Sequence, residues 1–163
     1  MKSIRARPHR LTRERYRGYV SVSFTACIEP RKPFFTTAKR VGIFVETLSI
    51  AVCRYSCNIV YCFMPDHVHL VVSGKSSVSD TLMVMETFKQ QTGWWLKENE
   101  RFTEWQQNFH DRIIRNTAEY AETIRYVVNN PVRAGLVDWW EDYPFTGAIG
   151  LNLREHLIDM LPY

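Results

Sequence analysis

The chain has 163 residues, of which 45% are apolar and 13% aromatic, enough to bury the core of a single domain and to exclude wholesale disorder. Its formal charge of +4 is uneven, because residues 1–17 carry seven basic side chains and one acid, whereas the other 146 residues have a net charge of −2. No apolar run approaches the roughly 18 residues of a membrane span, and no apolar stretch follows the basic N-terminus as in a secretory signal. A cytoplasmic protein with no membrane partner is expected.

Residues 1–17, the basic arm, are predicted to be distinct from the domain that follows. A polyanionic partner would explain the charge of the basic arm, and nucleic acid is the first candidate. A solvated tail has the same composition. The domain is expected to span residues 18–140. Residues 141–163 are expected to form a tail packed on that domain.

In the first half of the domain the pattern predicts a strand, a helix and a β-hairpin. Residues 19–28 are rich in β-branched and aromatic side chains, which favours a strand. A threonine at 36 or 37 can cap a helix that continues to about residue 53, because apolar residues recur there at helical spacing. Two further strands, 55–64 and 67–73, are joined by a tight turn at Pro65 and Asp66 and form the hairpin.

The second half alternates helix and strand again. A helix is predicted from residue 78 or 79 to 98, and a short fourth strand within 105–115. Asn116 begins a third helix, which must end near Asn130 because Pro131 disfavours the α conformation just before it. This order of elements predicts an α+β sandwich of ferredoxin-like type, with a mostly antiparallel four-stranded sheet and helices packed on one face.

The residues most informative about chemistry are His67 and His69, in the segment MPDHVHLVV. Side chains on a strand alternate, so both imidazoles point to one face while the apolar residues between and after them point to the other. Two imidazoles side by side on a strand make a two-point ligand for a divalent metal and leave most of the coordination shell open. Two partly exposed histidines on a polar sheet face would produce the same pattern.

The four cysteines form no C-x-x-C pair, and in a cytoplasmic chain they do not indicate a disulfide framework. Cys27 and Cys62 lie in apolar, strand-like runs, which favours buried free thiols. A zinc site that combines Cys53, Cys57 and Cys62 with the two histidines is the alternative.

On the third helix, Tyr126 is two residues from the apolar Ile124, which places it roughly 200° around the helix and away from the core stripe. Asn130 follows four residues later and projects from the same face. The helix would therefore present a phenol and an amide to a ligand. A surface tyrosine and a helix-ending asparagine are the plainer interpretation.

Together these features resemble one known family. The HVH motif in MPDHVHLVV and the helix-turn YVVNNPVRAGLV, which begins at Tyr126, are similar to those of the single-tyrosine HUH (His-hydrophobic-His) transposases. The most similar branch is that of the REP-associated tyrosine transposases, relatives of the insertion-sequence single-strand transposases. The resemblance covers most of residues 19–140 in the same order of elements. The segment WQQNFHDRIIR at 105–115 also resembles the one that precedes the tyrosine helix in that family.

The resemblance implies a role for each matching residue. His67 and His69 would be metal ligands, and Tyr126 would be the nucleophile. Asn130 occupies the position at which insertion-sequence relatives carry a glutamine that completes the metal site, and REP-associated members often carry asparagine there. The metal would be Mg²⁺ or Mn²⁺, and cleavage would give a 5′-phosphotyrosine and a free 3′-hydroxyl. Relatives are monomers, or homodimers that exchange the tyrosine helix.

The expected DNA contacts are basic and aromatic side chains. One of the tryptophans at 94, 95 and 105 would stack on a base, while at least two are expected in the core. His110 is a candidate general base by its position in the sequence alone. Phosphate contacts are expected from two or three of the basic residues of the domain and from the basic arm; the candidates are Lys89, Arg112, Arg115, Arg125, Arg133, Arg13, Arg15 and Arg17.

The resulting prediction is a metal-dependent transposase that nicks and rejoins single-stranded DNA beside hairpins. One alternative is a hairpin-DNA or RNA binding protein that no longer cleaves. Another is a zinc hydrolase or structural zinc protein that uses Cys57, Cys62 and the histidines. The lack of a third histidine or a carboxylate at a typical zinc-ligand spacing speaks against the last of these.

Overall fold

The computed structural model describes residues 11–160. None of the helices in this range is long and apolar enough to cross a membrane. The strands are β1 (Ser21–Glu29), β2 (Cys57–Met64), β3 (His67–Gly74), β4 (Glu104–Trp105), β5 (His110–Ile114) and β6 (Thr146–Ile149). The helices are α1 (Ala38–Arg54), α2 (Thr81–Asn99), α3 (Thr117–Val128), α4 (Asn130–Arg133) and α5 (Leu153–Asp159), with 3-10 turns at Arg13–Tyr16 and Trp140–Asp142.

One antiparallel sheet runs through the domain in the order β4-β1-β3-β2-β6, and β5 also pairs with β1. The predicted α+β fold with an antiparallel sheet is thereby confirmed. The described residues form six strands rather than the expected four, because the 105–115 region contributes two short strands and the C-terminal region adds β6 to β2. A two-residue strand and a four-residue strand that contains Gly147 are too short for sequence alternation to reveal.

The first face of the sheet is covered by α1 and α2 over an aromatic core. The ring of Phe44 packs edge to face against Phe63 and against Trp95, with centroids 6.3 and 5.6 Å away, and Trp105 lies 6.0 Å from it. Burying one such ring contributes on the order of 1.5–3 kcal/mol. Two of the three tryptophans therefore belong to the core, as expected, whereas Trp94 is 68% exposed.

The opposite face carries α3, which corrects the expectation that all helices pack on one face. Ile124 and Val127 of α3 pack with Val60 of β2 and Val71 of β3 in a second apolar cluster. The reason is the composition of β2 in the hairpin. Six of its eight residues are buried, and apolar side chains of β2 point to both faces of the sheet. A central strand that is apolar on both faces must be covered on both faces.

Side-chain caps define where the helices begin. Thr37, Asp80 and Asn116 each accept a hydrogen bond from a backbone N–H three residues further on. The second helix starts later than predicted, because Asp80 caps it while the buried hydroxyl of Ser79 donates to a main-chain carbonyl at 2.6 Å. The third helix ends at residue 128, since Pro131 has no N–H to continue its hydrogen bonds, and the short α4 follows.

Both ends of the described chain are attached to the domain. Tyr16 is fully buried, and its hydroxyl donates to Oδ2 of Asp111 on β5 at 2.5 Å. At the other end β6 extends the sheet beside β2, and the hydroxyl of Tyr143 donates to the carbonyl of Phe63 at 2.7 Å. Residues 1–10 of the basic arm lie outside the described residues.

Replacing Tyr16 by phenylalanine removes only the buried hydroxyl. Because a hydrogen bond to a charged group contributes roughly 1.5–3 kcal/mol, Tyr16→Phe should lower the free energy of unfolding by about 2 kcal/mol in urea denaturation. Tyr19→Phe is the matched control, because Tyr19 is 79% exposed, and it should unfold like the wild type. Identical midpoints for all three proteins would show that the bond to Asp111 does not stabilise the fold.

Candidate functional site

The turn between β2 and β3 is held by main-chain hydrogen bonds from neighbouring segments. The N–H of Ile28 donates to the carbonyl of Asp66 at 2.9 Å, and the N–H groups of Phe34 and Phe35 donate to that of Pro65 at 2.7 and 2.9 Å. The backbone before His67, the first residue of β3, is therefore held in a fixed position.

His67 and His69 point to the face that carries α3, while Val68, Leu70 and Val72 are buried on the other face. The two Nε2 atoms are 3.1 Å apart. Each ring is held at its Nδ1, in His67 by Oδ1 of Asp66 at 2.6 Å and in His69 by Oγ1 of Thr25 at 3.1 Å. Both imidazoles are thus oriented before any ligand arrives.

The paired imidazoles fit a divalent cation. The bond to the Asp66 carboxylate requires a proton on Nδ1 of His67, which leaves the lone pair of the neutral ring on Nε2. Two ligands at right angles around a metal, each about 2.1 Å from it, are about 3.0 Å apart. This value is close to the 3.1 Å between the two Nε2 atoms. Hydrogen bonds at the remaining ring nitrogens are the support that metal-binding imidazoles typically receive.

Asp66 and Thr25 are site residues that the sequence did not reveal as such. The sequence predicted Asp66 as a turn residue, but its carboxylate joins His67 to Arg31, whose Nε lies 2.8 Å from Oδ2. Burial raises the pKa of Asp66, yet its hydrogen bonds with Arg31 and His67 outweigh that effect and lower the pKa below its usual value. An acid directly before the HVH motif was a signal for this role. Thr25 had no such signal, because only the pairing of β1 with β3 brings it to His69.

The surroundings of His69 keep its imidazole neutral. Burial, with the charges of His67 and Arg133, lowers the pKa of His69 to about 4. The neutral imidazole is the form that binds a cation. His69 is therefore able to act as a ligand throughout the neutral pH range.

Tyr126 stands beside the histidine pair and is 48% exposed. Its ring is perpendicular to that of His69, and the ring centroids are 6.0 Å apart. The guanidinium of Arg133 lies 4.4 Å from the centroid of the Tyr126 ring, which is a cation–π contact. The phenol is thus held close to the imidazoles and remains open to solvent.

Asn130 begins α4, one helical turn after the tyrosine. Its side-chain Nδ2 is buried and has no hydrogen-bond partner among residues 11–160. A buried polar group without a partner costs roughly 1–3 kcal/mol, and a ligand would remove that cost. Because amide oxygen and nitrogen have nearly the same shape, a half-turn of the amide presents the oxygen instead. The amide of Asn130 is therefore chemically able to bind a cation through its oxygen.

The zinc alternative finds no support in the described part of the chain. Between residues 11 and 160, no three His, Cys, Asp or Glu side chains are arranged to hold a metal. All four cysteines are free thiols; Cys62 is buried as expected and so is Cys57, whereas Cys27 is half-buried and Cys53 is exposed. Burial raises the pKa of Cys57 and of Cys62 to about 11, so both are protonated thiols at neutral pH in the metal-free chain.

Four of the predicted phosphate contacts lie on or near the side of the sheet that carries α3. Arg133 covers the ring of Tyr126, and Arg112 on β5 forms an ion pair with a glutamate in the first turn of α3. Arg115 is exposed just before α3, while Arg125 on α3 donates to a main-chain carbonyl of the C-terminal region. Arg112 and Arg133 are therefore the basic side chains best placed beside the site.

The other four predicted phosphate contacts are not brought to Tyr126. Lys89 belongs to α2, on the opposite face, and its Nζ donates to a main-chain carbonyl at 2.7 Å. Arg13 and Arg17 form ion pairs with carboxylates of α2 and its cap, with N–O distances of 2.7 and 3.2 Å. Arg15 is exposed in the same N-terminal turn.

This geometry coincides with a family match. The model of the family described as IS200-like transposases matches residues 19–130, from β1 to the first residue of α4. This chain belongs to the IS200-like transposase family. The match confirms the resemblance seen in the sequence, and its range includes His67, His69, Tyr126 and Asn130.

Two proteins of one organism are similar in sequence to parts of this chain. A protein of Haemophilus influenzae, named as a candidate REP-associated tyrosine transposase, is 25% identical over an alignment of 100 residues that covers 55% of this chain and 57% of that protein. An uncharacterized protein of the same organism is 39% identical over 41 residues, which are 25% of this chain and 23% of that protein. The chain thus spans less than two thirds of the length of the curated relatives it matches.

A solved structure of a REP-associated tyrosine transposase bound to a REP hairpin has the same fold. It superposes with a TM-score of 0.73 at 21% sequence identity, and the alignment covers 97% of this chain and 89% of that chain. The shared fold therefore includes the C-terminal region that lies beyond the family match.

Acid should destabilise the metal-free protein through His69. Because its pKa of about 4 in the folded chain is below the 6.5 of an ordinary histidine, the unfolded chain takes up the proton first as the pH falls. The free energy of unfolding should therefore drop between these two values, and His69→Gln should make that drop smaller. Urea denaturation with a chelator, at a pH above 6.5 and at a pH between 4 and 6.5, measures the drop in both proteins. Parallel pH profiles for wild type and variant would contradict it.

Proposed function

We propose that this chain is a metal-dependent single-strand DNA transposase, which cleaves and rejoins DNA beside hairpins through a 5′-phosphotyrosine on Tyr126. One observation carries the proposal: the Tyr126 ring lies 6.0 Å from that of His69, whose Nε2 is 3.1 Å from that of His67. A phenol and a pair of imidazoles therefore stand side by side, in a chain of a transposase family.

In this reaction the Tyr126 oxygen attacks the phosphorus, the bond to the 3′ oxygen breaks, and the 5′ phosphate stays on the tyrosine. His67 and His69, with Asn130 as third ligand, would hold a divalent cation that neutralises the charge on the phosphate oxygens. Arg133 restrains the Tyr126 ring and adds a positive charge beside the incoming phosphate. The free 3′-hydroxyl can reverse the step at another junction, so rejoining needs no ATP.

Mg²⁺ or Mn²⁺ is the proposed cation. Two imidazole nitrogens and one amide oxygen would hold the cation and would leave part of its coordination shell open to water and phosphate. Of the two ions, Mn²⁺ accepts nitrogen ligands more readily, which makes it the better probe.

Single-stranded DNA with a hairpin is the proposed substrate. The structural relative is described as bound to a REP hairpin, and a sequence relative is named for REP association. Arg112 and Arg133 would contact phosphates at the site. The basic arm is proposed as an additional DNA contact that supplements those of the domain at 18–140. Arg13 and Arg17 would first have to leave their carboxylate partners.

A monomer has both halves of the proposed site. Tyr126 lies against His69 of its own chain, so no second copy has to supply the nucleophile. We propose that the protein reacts as a monomer, rather than as a homodimer that exchanges the tyrosine helix.

The covalent intermediate provides the direct test. Wild-type protein, mixed with Mn²⁺ and labelled hairpin oligonucleotides that have randomised single-stranded flanks, should form a protein–DNA adduct stable to denaturing electrophoresis. Tyr126→Phe should form none, because phenylalanine has no oxygen to bond to phosphorus. Tyr120→Phe is the matched control, since Tyr120 lies on the same helix but its hydroxyl contacts Nε2 of His156 at 2.9 Å; it should still form the adduct.

Absence of an adduct from the wild-type protein, or equal adducts from wild type and Tyr126→Phe, would overturn the proposal. Hairpin binding by both proteins without an adduct in either would instead support the alternative of a binding protein that no longer cleaves.

Metal binding can be measured without DNA. A ligand at 100 times its dissociation constant stabilises the folded state by about 2.7 kcal/mol, so Mn²⁺ should raise the melting temperature of the wild type. This rise should disappear in His67→Ala and shrink in Asn130→Ala, because each variant removes a ligand. His156→Ala, which lies on α5 away from the pair, should keep the full rise. An undiminished rise in His67→Ala would place the metal elsewhere.

A further inference from the structure

The face of the sheet that carries the site is only partly covered. α3 packs against β2 and β3, while Ile114 at the end of β5 joins the same apolar cluster and Arg112 pairs with the first turn of α3. On β1 the small side chains of Ser23 and Thr25 on this face are only half-buried, and beyond them His110 and Arg112 of β5 are exposed. The β5 side of the histidine pair is therefore open to a substrate.

His110 lies in one cross-strand row with the histidine pair. The pairing of β5 with β1 places His110 opposite Thr25, and the pairing of β1 with β3 places Thr25 opposite His69. Residues directly opposite each other in antiparallel strands share a face. Two strand spacings of about 4.8 Å put the Cα atoms of His110 and His69 about 10 Å apart. In this row Thr25 is the residue that separates His110 from His69.

The direction from which the tyrosine oxygen attacks phosphorus indicates which reacting oxygen His110 faces. In a displacement at phosphorus the attacking and leaving oxygens stand roughly in line, on opposite sides of the phosphorus. Because α3 packs on β2 and β3, Tyr126 approaches a phosphate at the histidine pair from the side opposite β5. The leaving 3′ oxygen then faces β1 and β5, where His110 is exposed.

We propose that His110 protonates the leaving 3′ oxygen during cleavage and takes the proton back during rejoining, an inference that rests on the proposed function. As the bond between the Tyr126 oxygen and phosphorus forms, the bond from phosphorus to the 3′ oxygen breaks. The electron pair of the broken bond takes a proton from the His110 imidazolium. The phenolic proton of Tyr126 goes to water, and water returns a proton to His110.

The same residue serves the reverse step. Neutral His110 accepts the proton of the 3′-hydroxyl as that oxygen attacks the phosphotyrosine, and the tyrosine oxygen regains a proton from water. Imidazole is suited to both directions because it gains and loses a proton readily near neutral pH. The position of His110 in the sequence suggested a base for the tyrosine, whereas its strand register places it on the leaving-group side.

A sulfur-substituted substrate tests this role. The oligonucleotide cleaved by the wild type is compared with one in which the bridging 3′ oxygen of the scissile bond is sulfur, since a thiolate leaves without protonation. General acid–base catalysis contributes roughly 100-fold or more. His110→Gln should therefore slow adduct formation on ordinary DNA by about 100-fold, yet approach the wild-type rate on the sulfur substrate in Mn²⁺. DNA affinity and melting temperature should stay at wild-type values.

The outcomes separate this inference from the function on which it rests. Equal rates for His110→Gln and wild type on ordinary DNA, or equal losses on both substrates, would overturn the role of His110 alone. A wild-type protein that forms no adduct would overturn the proposed function and this inference with it. Arg112→Gln is the matched control on the same strand and face; its ratio of rates on the two substrates should equal that of the wild type.

Discussion

The two-residue alternation of β3 is the constraint on which the rest of the site depends. Val68, Leu70 and Val72 are fully buried on one face, so His67 and His69 must emerge on the other. A shift of one residue in the register would bury both imidazoles and expose three core side chains, which makes the register strongly specified. The main-chain hydrogen bonds to Pro65 and Asp66, in the turn before β3, fix the same register at the beginning of the strand.

The helix that carries Tyr126 is placed by its own packing. Ile124, Val127 and Val128 fill the second apolar cluster, and the helical period then turns Tyr126 outward beside His69. Stability and chemistry therefore use opposite sides of one helix. Loss of packing at Ile124 would move the phenol as well as weaken the fold.

Electrostatics at the site come from a few short-range contacts and not from the net charge of the chain. The Arg31–Asp66–His67 chain of hydrogen bonds fixes one imidazole, and burial keeps His69 neutral. Several of the basic residues form ion pairs away from the site, such as Arg13 with a carboxylate of α2. Position within the fold therefore decides which cations face a substrate, because exposed charges more than a Debye length apart interact weakly.

The sequence by itself determined the types and approximate positions of the longer elements, which are β1, α1, β2, β3, α2 and α3. Alternation, helical spacing and capping residues such as Thr37 and Asn116 are local signals for them. It also determined that His67 and His69 share a face and that Tyr126 turns away from the core. Only the tertiary structure decided that α3 covers the opposite face from α1 and α2, that β6 completes the sheet, and that Thr25 reaches His69. These features depend on strand pairing and layer packing between residues far apart in the chain, such as the 44 positions from Thr25 to His69, and no local pattern encodes such pairings.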